Sequence, residues 1–232
     1  MNVIITGASK GMGKAIAEKF ASKGYNLFLC SRSEEELVEC KKELESKYNI
    51  EIYYYPADLS IKSEAIEFGK WILGKAQSID ILINNAGQFI PGSIYNEEDG
   101  TLEKMIAINL YAAYHLTRTI LPAMMKRQQG HIFNISSIAA LKAYSNGGAY
   151  SISKFAIAGL SKNLREEMKP YNIKVTTVYP GAVYTASWFD SGIDSNRIME
   201  VNDISDMIYS ASRLSPQACV EEIVIRPQKG DI

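Results

Sequence analysis

Val3-Ile4-Ile5-Thr6-Gly7-Ala8-Ser9-Lys10-Gly11-Met12-Gly13 opens the chain with an apolar, β-branched run that breaks into glycines and then into a helical pattern. Residues 3–6 read as a buried strand. Beyond the glycines, Met12, Ile16 and Phe20 recur every four residues as one face of a helix, which Gly24 can close. A glycine turn between a strand and a helix lets the backbone approach a pyrophosphate, and leaves the first helical N–H groups to bind it. The spacing is G-x-x-x-G-x-G, not G-x-G-x-x-G, and no Gly-Lys-Ser/Thr follows to make a Walker A loop. A tight turn alone would also account for three glycines. The strand before them and the helix after them favour a dinucleotide site.

The same alternation continues along the chain. Further strands are expected at residues 26–30, 52–57, 81–84, 131–135, 174–179 and 223–226. Ser33 followed by Glu36 reads as a capping box that starts the second helix. Ile152, Phe155, Ala156, Gly159, Leu160 and Leu164 mark another amphipathic helix, ending near Pro170. Strands alternating with helices predict an α/β fold: a doubly wound, parallel, seven-stranded sheet of Rossmann type in three α/β/α layers. No repeat or linker divides it, so residues 1–232 are expected to form a single NAD(P)-binding catalytic domain. Tyr53, Tyr54 and Tyr55 should alternate between the faces of their strand.

Composition removes several function classes. With 47% hydrophobic and 22% charged residues the chain reads as an ordinary globular protein. A net charge of −1 gives no field to attract nucleic acid or an anionic membrane. Cys30, Cys40 and Cys219 are scattered, and His115 and His131 are the chain's two histidines, so neither a disulfide framework nor a metal site is expected. Both histidines read as surface or helix-packing residues. The run at residues 1–5 is too short for a signal peptide, and no stretch reaches the ~18 apolar residues of a membrane span. A cytoplasmic location is the expectation.

The end of the second strand bears on the choice of dinucleotide. An Asp or Glu there would hold a ribose 2′-hydroxyl. Here Cys30-Ser31-Arg32-Ser33 offers no acid before Glu34, while Arg32 can grip a 2′-phosphate bidentately and Lys10 adds a second cation. NADPH is therefore preferred over NADH. The bland alternative leaves Arg32 as a solvated surface residue.

Tyr150 and Lys154 lie four apart near the start of the helix of residues 152–168, hence on one face. Ser136-Ser137 end a strand shortly before them, and open α/β sheets place ligands at such strand ends. A hydroxyl, a phenol and an ammonium can meet there. An ammonium about 4 Å from a phenol, at an effective dielectric of about 20, favours phenolate by roughly 4 kcal/mol. That equals about 3 pKa units and would bring Tyr150 close to neutrality.

Taken in order, residues 6–13, Asp58, Asn84-Asn85-Ala86-Gly87, Asn109, Ser137, Tyr150, Lys154 and Pro180-Gly181 resemble the motifs of the short-chain dehydrogenase/reductase family, over nearly the whole chain. The resemblance implies reduction of a carbonyl by NADPH, with Asn109, Ser137, Tyr150 and Lys154 as the catalytic set. Ser137 would hydrogen-bond the carbonyl and Tyr150 would protonate it. Lys154 would hold the nicotinamide ribose and acidify the tyrosine, and Asn109 would hold a relaying water. For the cofactor it implies Gly7, Ser9, Lys10, Gly11, Met12 and Gly13 at the phosphates, Ser31 and Arg32 at the 2′-phosphate, and Asp58 with Leu59 at the adenine. Asn85, Ala86 and Gly87 would line the adenosine ribose, with Asn84 bracing the sheet. Pro180, Gly181, Val183 and Thr185 would pack on the nicotinamide.

Trp188 and Phe189 fall in the segment that resembles the family's substrate lid. The tail of residues 220–232 lacks the glycine-rich ending of 3-oxoacyl-carrier-protein reductases and looks more like bacterial sepiapterin reductases, which reduce a pterin side-chain ketone. The favoured substrate is thus a small sepiapterin- or diketone-type carbonyl, with the acyl-carrier substrate as alternative. An NADP-binding redox sensor or an oligomeric scaffold without turnover would not need Ser137, Tyr150 and Lys154 intact. Ala156, Ala158 and Gly159 would let two helices approach closely. The corresponding family helix pairs across subunits, implying a homodimer or homotetramer.

Overall fold

The computed structural model describes residues 1–185 and 192–231. Seven strands form one parallel sheet: β1 (Asn2–Thr6), β2 (Asn26–Ser31), β3 (Ile52–Pro56), β4 (Ile81–Asn84), β5 (Gly130–Ile135), β6 (Ile173–Pro180) and β7 (Glu222–Ile225). Their order is β3-β2-β1-β4-β5-β6-β7, and every expected strand is present with each end within one residue. The helices are α1 (Gly11–Ala21), α2 (Glu34–Lys47), α3 (Lys62–Lys75), α4 (Thr101–Ile106), α5 (Ala112–Arg127), α6 (Gly148–Met168) and α7 (Val201–Ser212).

Alternation along the strands builds the three layers. Val3 and Ile5, Leu27 and Leu29, and Ile81 and Ile83 face one side, where Ile16 and Phe20 of α1, Leu37 and Leu44 of α2, and Ile204 and Ile208 of α7 cover them. Ile4, Phe28, Leu82, Ile132 and Val175 face the other, under Phe68 and Ile72 of α3, Leu116 and Ile120 of α5, and Leu164 and Met168 of α6. Each fully buried aliphatic or phenyl side chain contributes about 1.5–3 kcal/mol. On the edge strand β3, Tyr53 stacks on Phe28 and Tyr55 packs on Phe68 and Trp71, while Tyr54 joins the opposite cluster. His131 is neither a surface nor a helix-packing residue. It lies in β5, buried between strands, its Nε2 2.7 Å from Thr176 Oγ1, and burial pushes its pKa down to about 3.

Two details of the fold place the site. The chain winds outward from β1 through β2 to β3, then returns to β4 on the other side of β1. The carboxyl ends of β1 and β4 therefore flank a topological switch point, where open α/β sheets leave a crevice. In addition, α4 and α5 are joined by a π-helical turn, Ala107–Tyr111, a local widening that often marks a functional position.

Candidate active site

The crevice begins at the glycine turn. Gly7 (φ +63°) and Gly11 (φ +55°) occupy the left-handed region, which side chains rarely adopt. A Cβ on Gly13 would lie 2.0 Å from the Gly7 carbonyl oxygen. The turn is closed on itself as tightly as bare backbone allows. Across the switch point, Asn85 Nδ2 donates to the carbonyls of Thr6 (2.9 Å) and Gly7 (3.2 Å), and Thr6 Oγ1 accepts from the backbone N–H groups of Asn85 and Ala86. Asn84 braces the sheet from within, donating to Thr117 Oγ1 and Asn134 Oδ1.

At the start of α1, Lys10 is the N-cap and its side chain makes no capping bond. The N–H groups at a helix N-terminus form a ready anion site. Thr185 closes the far side: a Cβ on Gly11 would meet its methyl at 3.4 Å. Pro180 ends β6, and the Gly181 N–H donates to the Ile225 carbonyl. Val183 is buried in the core and bridges to Met199, so its side chain does not face the crevice. The glycine cradle, the uncapped helix and the facing Thr185 fit a dinucleotide pyrophosphate. At the crevice's outer end, Asp58 Oδ1 accepts from the N–H and hydroxyl of Ser60 beside buried Leu59.

The expected 2′-phosphate residues are arranged differently from the reading of the sequence. Ser33 Oγ does accept the Glu36 N–H (3.2 Å), but the reciprocal half of the capping box is absent. Glu36 instead reaches back to the glycine turn, accepting from Ser9 Oγ at 2.7 Å and from Lys10 Nζ at 3.4 Å. The strand end itself carries no acid, yet the first turn of α2 returns one to the same place. Arg32 is exposed and makes no hydrogen bond or ion pair among the described residues.

The four candidate catalytic residues converge. Ser137 follows β5 and caps a short 3-10 turn by accepting the Ala139 N–H. Tyr150 and Lys154 stand one turn apart on α6, which begins at Gly148, four residues before the sequence pattern suggested. Ser137 hydrogen-bonds Tyr150, and Lys154 Nζ is 5.6 Å from the centre of the Tyr150 ring. Lys154 is buried and donates to the Ile135 carbonyl at 3.1 Å. Asn109, on the π-helical turn, accepts the Gln88 N–H and donates to the Gln88 carbonyl and to Ser153 Oγ. A Cβ on Gly87 would lie 2.9 Å from Asn109 Oδ1 and 3.4 Å from Lys154 Nζ, which brings those two residues over one glycine.

Electrostatics correct one expectation. Burial raises the Tyr150 pKa above the ordinary 10, opposed by the Ser137 hydrogen bond and reinforced by nearby Tyr144. The balance for Tyr150 is set by burial rather than by Lys154, whose own pKa burial lowers to about 8. At neutral pH Tyr150 is a phenol, the form that can give a proton.

Residues the sequence did not single out complete the site. Phe89 packs edge-on against Tyr150 (centroids 4.8 Å apart) and is 52% exposed, and exposed Tyr144 is near enough to help raise the Tyr150 pKa. Glu97 Oε1 accepts the Ala149 N–H at 2.7 Å, capping α6 directly beside Tyr150. Ser93 Oγ bonds Asn146 Oδ1 and the Gly92 N–H bonds the Asn146 carbonyl, so residues 92–97 are tied to the start of α6. Their only sequence signal is Gly147-Gly148 before the tyrosine. Trp188 and Phe189 lie outside the described residues. Ala158 packs inward on Ala140 and Tyr179, whereas Gly159 opens outward beside exposed Phe155 and Ile152.

Comparisons with known proteins identify the family and the fold. A family model described as short chain dehydrogenase matches residues 1–194. Sepiapterin reductase of Chlorobaculum tepidum is 32% identical, over 99% of this chain and 97% of that protein. A metagenomic short-chain oxidoreductase in complex with NADP superposes with a TM-score of 0.85 at 31% identity, covering 98% of this chain and 97% of that one. An alcohol dehydrogenase from the archaeon Thermococcus sibiricus, complexed with 5-hydroxy-NADP, gives a TM-score of 0.90 at 26% identity, covering 98% and 96%.

Proposed function

The chain belongs to the short-chain dehydrogenase family, and we propose that it is an NADPH-dependent carbonyl reductase with Tyr150 as the proton donor. The observation that carries this reading is the convergence of Ser137, Tyr150, Lys154 and Asn109 at the carboxyl end of β5, beside a glycine turn shaped for a pyrophosphate. NADP in two neighbouring structures supports the choice of cofactor.

NADPH, when bound, supplies the hydride. Gly7, Gly11, Met12 and Gly13 would hold its pyrophosphate; Ser9, Lys10, Ser31 and Arg32 its 2′-phosphate; and Asp58 and Leu59 its adenine. Asn85, Ala86 and Gly87 would line the adenosine ribose, with Pro180, Gly181, Thr185 and the backbone of Val183, whose side chain is turned into the core, along the nicotinamide. Ser137 Oγ donates a hydrogen bond to the substrate carbonyl oxygen, and Tyr150 Oη delivers a proton to that oxygen as it becomes an alkoxide. Lys154 would turn from the Ile135 carbonyl toward the nicotinamide ribose. Asn109, fixed by Gln88 and Ser153, keeps a polar route open behind Lys154 for reprotonation.

The favoured substrate is a small ketone of the sepiapterin or vicinal-diketone type. The sepiapterin reductase relative supports this, as do the exposed aromatic faces of Phe89 and Tyr144 beside Tyr150. A second copy of the chain packing on the outward face of α6, at Ile152, Phe155 and Gly159, would give a homodimer or homotetramer.

The test is NADPH oxidation, followed by loss of its near-ultraviolet absorbance, against sepiapterin, diketones, quinones and acetoacetyl thioesters. Turnover should depend on the carbonyl and fall by about a thousandfold or more in Tyr150→Phe, with NADPH still bound. Carbonyl-dependent turnover unchanged in Tyr150→Phe would overturn the assignment.

A further inference from the structure

Glu36 engages groups assigned above to the 2′-phosphate. Its carboxylate takes the Ser9 hydroxyl and the Lys10 ammonium. The carboxylate is held in place from its own backbone, since the Glu36 N–H is fixed by the Ser33 side chain at the start of α2. Of the remaining phosphate groups, Ser31 Oγ donates to the Ser33 carbonyl and Arg32 stands uncommitted, close enough to Glu36 to bias its ionisation. Glu34 and Glu35, on the same helical turn, bond neither Ser9 nor Lys10.

We propose that Glu36 competes with the 2′-phosphate of the dinucleotide for Ser9 and Lys10, and so sets how strongly the enzyme prefers NADPH over NADH. The proposal rests on the cofactor reading given above. A dinucleotide with a plain 2′-hydroxyl leaves the carboxylate undisturbed. One with a 2′-phosphate must displace it, or share Lys10 with it at close like-charge range. If Glu36 merely oriented Ser9 and Lys10 for the phosphate, removing its charge would weaken NADPH instead.

The ion pair is half-exposed, with side-chain exposures of 72% for Lys10 and 41% for Glu36, so its removal costs little stability. The experiment is calorimetric titration of NADPH and of NADH into wild type, Glu36→Gln, Glu35→Gln and Arg32→Ala. Glu36→Gln should bind NADPH about fivefold tighter, the worth of roughly one partly screened charge interaction, and leave NADH within about twofold. Glu35→Gln, which removes the same charge one residue away, should leave the ratio of the two affinities unchanged. Arg32→Ala should weaken NADPH about tenfold and spare NADH. Weaker NADPH binding in Glu36→Gln, an unchanged ratio, or an equal gain in Glu35→Gln would overturn the proposal while the Arg32 result keeps the cofactor reading standing. An NADPH preference untouched by Arg32→Ala would remove the phosphate site itself, and the proposal with it.

Discussion

Glu97 and Ala149 are 52 residues apart in sequence, and the carboxylate of the first accepts the backbone N–H of the second at 2.7 Å, one residue before Tyr150. The space for that carboxylate is made by glycine: a Cβ on Gly148 (φ +31°) would fall 1.5 Å from Glu97 Oε1. The start of α6 is thus set by a residue from a different loop.

Glu97→Ala should lower kcat by about tenfold and destabilise the fold by about 1 kcal/mol, as loss of a helix cap does. NADPH affinity should be unchanged, and Glu97→Gln, which keeps an acceptor oxygen, should recover most of the loss. Gly148→Ala should be worse, by about 2–3 kcal/mol, since it adds strain and displaces the cap. Steady-state kinetics with thermal melts separate the two costs; parallel loss of NADPH binding would argue against a local effect.

Ser137→Ala should reduce kcat/KM by about a hundredfold or more while KM for NADPH stays near wild type. The hydroxyl both bonds Tyr150 and caps the turn at Ala139. Ser137→Thr keeps the oxygen and should retain measurable activity. Equal kinetics for the alanine variant and wild type would place the carbonyl elsewhere.

Lys154 is a case where activity and stability pull apart. Its pKa falls from 10.5 to about 8 on folding because it is buried. Between those values the unfolded chain holds the extra proton, so stability rises with pH through that window. Below about pH 8 the charged lysine imposes its full cost. Lys154→Met should therefore lose a few hundred-fold in kcat/KM yet melt no lower than wild type at pH 7. Its stability should also lack the rise from pH 8 to 10.5 seen in wild type, which denaturant titrations at several pH values would measure.

Gly13→Ala should abolish NADPH binding. Its new methyl would lie 2.0 Å from the Gly7 carbonyl oxygen and 2.7 Å from Asn85 Nδ2, both of which shape the turn. Overpacking on this scale costs about 1–3 kcal/mol or more. Calorimetric binding and a thermal melt of the variant report the two losses.

Much of this was legible in the sequence because it is periodic or local. Strands such as Ile81–Asn84 carry buried apolar runs between turn residues, and the glycine turn announces itself between a strand and a helix. Tyr150 and Lys154 share a face by helical spacing alone. Interactions that cross the sheet were not legible. Nothing near Glu97 points to Ala149, and the Ser33–Glu36 spacing suggested a local cap while the carboxylate found Ser9 instead. His131 reads as polar, yet β5 buries it and Thr176 of β6 supplies its partner. The direction of the Tyr150 shift depends on desolvation, which no spacing encodes.

The π-helical turn at Ala107–Tyr111 gives the proposed relay a mechanical dependence on chain length. Such a turn holds one residue more than the α-helix that flanks it. Deleting a single residue there would let α4 run into α5 as an uninterrupted helix. The flanking helices would keep their seating, while Asn109 would rotate by about 100°, away from Gln88 and Ser153. Every motif residue would survive such a deletion, and the frame that aims one of them would be gone.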